Sequence, residues 1–111
     1  MLFQFRVIVK GKSNVMRQCE ERMVLFDAST AAGALVAAKR YGRRSEHTYR
    51  NSDGNTVHFE FVGVLDLLHL GMECGDNEVW YQITTMKRPK ERARSILPPE
   101  KKLNAIYWAE R

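Results

Sequence analysis

Two histidines, a tyrosine and a glutamate stand where a single turn could gather them: His47, Tyr49, His58 and Glu60. Between the pairs lies Asp53-Gly54, flanked on both sides by strand-like residues. A two-residue Asp-Gly loop makes a type I′ hairpin turn, because both central positions need positive φ. That turn predicts a register in which Arg50 faces Val57, Tyr49 faces His58, Thr48 faces Phe59 and His47 faces Glu60, so that the four polar side chains share one face. Two imidazoles and a carboxylate are competent ligands for a transition metal, and the same groups can move protons. The set lacks a third strong ligand, and its neighbours Asn51 and Thr56 are ordinary. The reading adopted is therefore a solvent-facing ladder of hydrogen bonds, with no catalytic residue, metal or cofactor assigned.

A second kind of chemistry is suggested by charge. Residues 87–111 hold eight Lys or Arg against three Glu, whereas the preceding 86 residues are formally neutral. The whole basic excess of +5 therefore belongs to the C-terminal segment. Lys87, Arg88, Lys90, Arg92 and Arg94 could grip phosphates, with Trp80, Tyr107 and Trp108 available to stack on bases. Lys39, Arg40, Arg43 and Arg44 form a smaller cluster. The neutral domain behind the tail and the lack of any helix-turn-helix, zinc-finger or RNA-recognition signature argue against nucleic acid as the partner. The lone acids Glu20, Glu21 and Asp66 and the lone His69 are expected to be structural. No phosphate loop, dinucleotide fingerprint or nucleophile elbow is present.

The elements that must carry these residues are legible from periodicity. Residues 2–10 alternate, with Phe3, Phe5, Val7 and Val9 on one side and Gln4, Arg6 and Ile8 on the other. Gly11-Lys-Ser-Asn14 is turn chemistry, and a second strand is expected over about residues 17–27. The period then changes. Asp27, Ser29 and Thr30 suit a helix N-cap, and Ala31, Ala34, Leu35, Ala38 and Tyr41 recur at helical spacing. Gly42 is expected to end that helix as a left-handed residue. The hairpin follows, with its return strand expected to run as far as Leu70, then a loop over 71–77 and a last strand over 78–86. Pro99 can open a short helix in which Leu103, Ile106 and Tyr107 share a stripe.

This order, β-β-α-β-β-β, predicts an α+β domain over residues 1–86: an antiparallel sheet of about five strands with one main helix on one face. Residues 87–111 would be a basic, partly helical extension docked on the core or on a partner subunit. The long strand carries Val57, Phe59, Phe61, Leu65 and Leu67 on one side and Val62, Val64, Leu68 and Leu70 on the other. A strand apolar on both sides needs cover on both, so the extension or a second copy should supply it. At 111 residues the chain suits one domain. Its two cysteines, Cys19 and Cys74, form no metal or redox motif and read as free thiols. No apolar run is long enough for a membrane span, and the alternating N-terminal segment is not a signal peptide, so the cytoplasm is the expected compartment.

The string Glu46-His-Thr-Tyr-Arg-Asn-Ser-Asp-Gly-Asn-Thr-Val57, running into Phe61-Val-Gly-Val-Leu-Asp66, resembles a small bacterial family, the domain of unknown function DUF4288. The resemblance takes in the preceding strand and Ala-rich helix and covers most of residues 2–86. It implies a compact α+β protein and supplies no activity, cofactor or site residue. The expected function is that of a non-enzymatic interaction module acting through a homodimer or another protein. Nucleic-acid association through the tail, and ligand or metal binding at His47 and His58, are the alternatives.

Overall fold

Alternation of apolar and polar residues makes strands here, and the turns between them set which face each residue joins. The computed structural model describes residues 1–69 and 77–110. Strand β1 (Leu2–Val9) turns through Lys10-Gly11 into the two-residue β2 (Lys12–Ser13), and β3 (Met16–Leu25) follows. Helix α1 (Ala31–Ser45) leads to β4 (His47–Arg50), β5 (Thr56–Gly63) and β6 (Asn77–Lys87). A four-residue helix α2 (Ala93–Ile96), a 3₁₀ turn (Glu100–Lys102) and α3 (Asn104–Ala109) make up the extension. The sheet is antiparallel throughout, in the order β4-β5-β1-β3-β6, with β2 attached to β1. The expected α+β architecture is thus the observed one.

One face of the sheet is aromatic. Phe3, Phe5 and Val7 of β1 lie opposite Phe61, Phe59 and Val57 of β5. The Phe3 and Phe59 rings stack 4.9 Å apart, and the Arg22 guanidinium lies 4.8 Å from the centre of the Phe3 ring. Arg22 also donates to the Tyr41 hydroxyl of α1 and to Glu20. Helix α1 begins at Thr30, whose side chain accepts from the Gly33 amide. Gly42 does not end it. The helix runs on to Ser45, and Gly42 is buried in its interior, where a Cβ would collide with the Phe61 ring. A close helix–sheet approach, not a left-handed backbone, is what this glycine serves.

Three further expectations are corrected. The return strand ends at Gly63, and residues 64–69 leave the sheet as irregular chain. Val64 and Leu67 are buried there against Ala38, Leu103, Ala105 and Ile106, so they belong to a second core between α1 and α3 and not to a two-sided strand. Of the apolar stripe in the extension, Leu103 and Ile106 enter this core while Tyr107 stays partly exposed. Leu70, Cys74, the loop expected over 71–77 and the facing of Val79, Trp80 and Tyr81 lie outside the described residues or side chains.

The central hairpin is also corrected, by one residue. The Gly54 amide donates to the Asn51 carbonyl, and the Asn51 amide donates to the Asn55 carbonyl, which closes a three-residue loop over 52–54. The Asn51 side-chain oxygen accepts from both the Asp53 and Asn55 amides. Only Gly54 has positive φ, +79°, so the loop is a type I turn followed by a left-handed glycine bulge. The two-residue turn with positive φ at both centres occurs instead at Lys10-Gly11. The observed pairs are His47 with Phe59, Thr48 with His58, Tyr49 with Val57 and Arg50 with Thr56.

Candidate functional site

That shift decides the fate of the hairpin cluster, because strand side chains alternate and a one-residue slip sends them to opposite faces. His47 and Tyr49 join the aromatic face. The His47 ring lies 5.0 Å from Phe59 and 5.8 Å from Tyr49, and its Nδ1 is 3.0 Å from the Ser45 carbonyl oxygen. His58 and Glu60 point to the other side, where His58 Nδ1 meets the Thr48 hydroxyl at 3.0 Å. The four residues therefore do not form one constellation. Among the described residues no group of three His, Cys, Asp or Glu side chains is placed to hold a metal ion.

The polar face assembles a different centre. Gln4, Arg6, Ser13, Arg17, Glu60, Lys90 and Glu91 line an open cavity of about 420 Å³. Alternation puts Gln4 and Arg6 of β1 on this side, and the register brings Glu60 of β5 beside Gln4. Arg6 holds Glu60 through two hydrogen bonds, Nε to Oε1 at 2.8 Å and Nη2 to Oε2 at 3.2 Å, and donates from Nη1 to Ser13. Gln4, fully buried, is the hub. Its amide nitrogen donates to Glu60, and its oxygen accepts from Arg17 Nη1 and from the Lys90 backbone amide. Arg17, only 2% exposed, grips Glu91 with both terminal nitrogens, at 2.7 and 2.9 Å, and donates from Nε to the Asn14 carbonyl.

The path of the extension explains how Lys90 and Glu91 reach this face. Arg88 leaves β6 with φ +41°, an uncommon conformation for a side chain with a Cβ, and its amide donates to the Val15 carbonyl. Pro89 is buried immediately after it. Farther on, Leu97 covers Gly63, which has no room for a Cβ.

Electrostatics follows from this wiring. Burial works against ionisation of Glu60, but hydrogen bonds from Arg6 and Gln4 outweigh it. With the nearby charges of Arg6 and Lys90 they hold the carboxyl down at about 2. The Arg17 guanidinium likewise keeps Glu91 below the usual carboxylate range. Among the described residues no buried side-chain nitrogen or oxygen lacks a partner. A group poised for acid–base work needs a pKa near the working pH, and Glu60 is driven away from it. The centre is a fastener: it ties the extension to the sheet. Cys19, buried on this same face with its thiol pushed up by burial, is an unreactive packing residue.

The five basic residues of the tail do not present a continuous comb. Lys90 extends its ammonium group to within 3.9 Å of both Glu46 and Glu60, and Arg92 donates to the Lys87 carbonyl at 2.8 Å. All five remain exposed. Asp66 binds the chain itself: Oδ1 accepts from the Leu67 and Asn104 amides. Of the residues singled out from sequence, only Glu60 and Lys90 meet at the polar centre. Gln4, Arg17 and Glu91 were missed, because their partners are far off along the chain and each looks locally like an ordinary solvated residue.

No helix among the described residues is long and apolar enough to cross a membrane. No curated protein and no solved structure matches the chain. A family described as a domain of unknown function, DUF4288, matches residues 3–79, from β1 into β6 and over well more than half of the sequence, and the chain belongs to that family.

Proposed function

We propose that this domain is a non-enzymatic interaction module that self-associates through the free edge of β6. The observation that carries this reading is the character of that edge. β6 pairs with β3 along Asn77–Lys87, and among the described residues no strand lies on its other side. Edge strands are normally blunted by charges, proline or brevity. Here residues 79–86, Val-Trp-Tyr-Gln-Ile-Thr-Thr-Met, contain neither a charge nor a proline. The opposite edge, β4, is only four residues long and carries His47 and Arg50. Exposed Ile83 on β6 and exposed Met16 and Met23 on β3 add apolar surface beside the open edge.

Two copies joined antiparallel at β6 would satisfy both rows of backbone groups and make a two-fold, self-complementary contact. Light scattering should give twice the 12.9 kDa chain mass. The double variant Ile83→Lys/Thr84→Lys places like charges near the two-fold axis and should return the monomer with its circular dichroism unchanged. A wild-type protein that stays at the monomer mass throughout the micromolar range overturns the reading.

A further inference from the structure

A second cavity differs from the polar centre in that some of the polar atoms lining it are not tied to one another. Asp66, Lys102, Asn104, Tyr107 and Trp108 line an open cleft of about 530 Å³, within the range of about 300–1,000 Å³ usual for small-molecule sites. The fold holds it firmly. Leu67 and Leu103, the neighbours of Asp66 and Lys102, are buried in the core. The Ala105 amide donates to the Leu67 carbonyl at 2.7 Å, and the Asn104 amide donates to Asp66 Oδ1 at 3.2 Å. These two bonds pin the 64–69 segment to α3 and set the Asp66 carboxylate beside the aromatic pair.

Tyr107 and Trp108 meet edge to face, ring centres 5.3 Å apart at 88°. The Trp108 ring is 65% exposed, the most exposed of the large apolar side chains described. Asp66 uses Oδ1 internally. Its Oδ2, the Lys102 ammonium and the Asn104 side-chain amide carry no hydrogen bond or ion pair among the described residues. The cleft therefore offers an aromatic platform, a carboxylate acceptor, an ammonium donor and an amide that does both. The one negative and one positive charge cancel.

We infer that this cleft binds a neutral carbohydrate, with a pyranose ring laid on Trp108 and its hydroxyls hydrogen-bonded to Asp66, Asn104 and Lys102. A pyranose matches the site on each count. Its C–H face is apolar and flat enough to stack on an indole, and its hydroxyls both donate and accept. It also carries no charge. A nucleotide could use the same ring platform, but its phosphate would meet the Asp66 carboxylate as well as the Lys102 ammonium, so the cleft offers it no net attraction. A purely apolar partner would leave that carboxylate and the Lys102 ammonium desolvated and unmatched.

Saturation-transfer NMR on the full chain tests the assignment with cellobiose, maltose, lactose, mannobiose and chitobiose as probes, and AMP as the comparison ligand. Transfer to the ring C–H protons of at least one disaccharide is expected, exceeding any transfer to AMP. Trp108→Ala should abolish it, and Trp108→Phe should retain part of it. Asp66→Asn keeps the oxygen that accepts from Asn104 but weakens the charged acceptor, and should lower the affinity at least about tenfold. Absence of transfer from all five disaccharides overturns the inference, as does binding that survives Trp108→Ala or a response to AMP stronger than to any sugar.

Discussion

Arg17 and Glu91, 74 positions apart in sequence, meet through paired hydrogen bonds of 2.7 and 2.9 Å, the arginine buried and the glutamate half exposed. The asymmetry of burial makes the two partners unequal. Removing Glu91 leaves a buried guanidinium short of an acceptor, whereas removing Arg17 frees a carboxylate into water. Glu91→Ala should therefore cost about 3 kcal/mol, at the low end for breaking a buried pair because water can reach part of the gap. Arg17→Met should cost less, about 1–2 kcal/mol, chiefly for the donors withdrawn from Gln4 and Asn14. The double variant should be more stable than the sum of the single losses predicts. Urea unfolding midpoints for the four proteins check all three statements.

Glu60 gives the fold an acid-sensitive term. Its pKa is depressed to about 2, so the native state binds that proton less readily than the unfolded chain does. The stabilisation is then fully present above the unfolded value of about 4.3 and is lost as pH falls towards 2, on the order of 1–2 kcal/mol once solvent screening in the open cavity is allowed for. Glu91, also depressed, acts in the same direction over the same limb. Stability of the wild type measured against pH should fall between pH 5 and pH 2 (about the two pKa limits). Glu60→Gln should flatten that limb while lowering stability at neutral pH. A wild-type curve level across this interval would contradict the assignment.

Gly42 poses a question of sign. Alanine is the better helix former by about 1 kcal/mol, so at a position inside α1 propensity alone favours the change. The partly buried Phe61 ring occupies the space its methyl group needs, and overpacking a core costs about 1–3 kcal/mol. Gly42→Ala should therefore destabilise on balance, and Gly42→Ala/Phe61→Leu should recover part of the loss. Thermal unfolding of the two variants decides between the packing and propensity effects.

How far the sequence spoke depended on the range of each interaction. Strand alternation in Leu2–Val9 and helical spacing from Ala31 to Tyr41 are local, and both elements were legible, the helix with its N-cap Thr30 among the candidates. Gly42 misled because a glycine near a helix end has two uses, and only the Phe61 ring across the interface distinguishes them. The strand reaching past Gly63 misled because an apolar run such as Val64-Leu-Asp-Leu-Leu68 looks the same whether it pairs in a sheet or packs as irregular chain. The Gln4, Arg17 and Glu91 network was invisible for the same reason: contacts 74 and 86 positions apart leave no periodic trace. The edge character of β6 was half legible. Its uncharged run is in the sequence, but its place at the end of the strand order is not.

The histidines of the central hairpin provide the last test, because Asn51 and not Asp53-Gly54 alone sets their facing. With the Asn51 side chain accepting from Asp53 and Asn55, the loop closes over three residues, and His47 and His58 project from opposite sides of a two-stranded ladder. No single ion can reach both. Calorimetric titration with zinc should show no one-to-one site that His47→Ala and His58→Ala each abolish. The two substitutions should also be independent in stability. His47→Ala loses its ring contacts with Phe59 and Tyr49 and should cost on the order of 0.5–1 kcal/mol. His58→Ala loses one hydrogen bond to Thr48 at an exposed position and should cost no more than about 0.5 kcal/mol. If Asn51→Ala releases the loop to the two-residue turn, the register slips by one and the histidines come to share a face. Zinc affinity appearing in Asn51→Ala, and absent from the wild type, would show that one asparagine side chain keeps the two imidazoles apart.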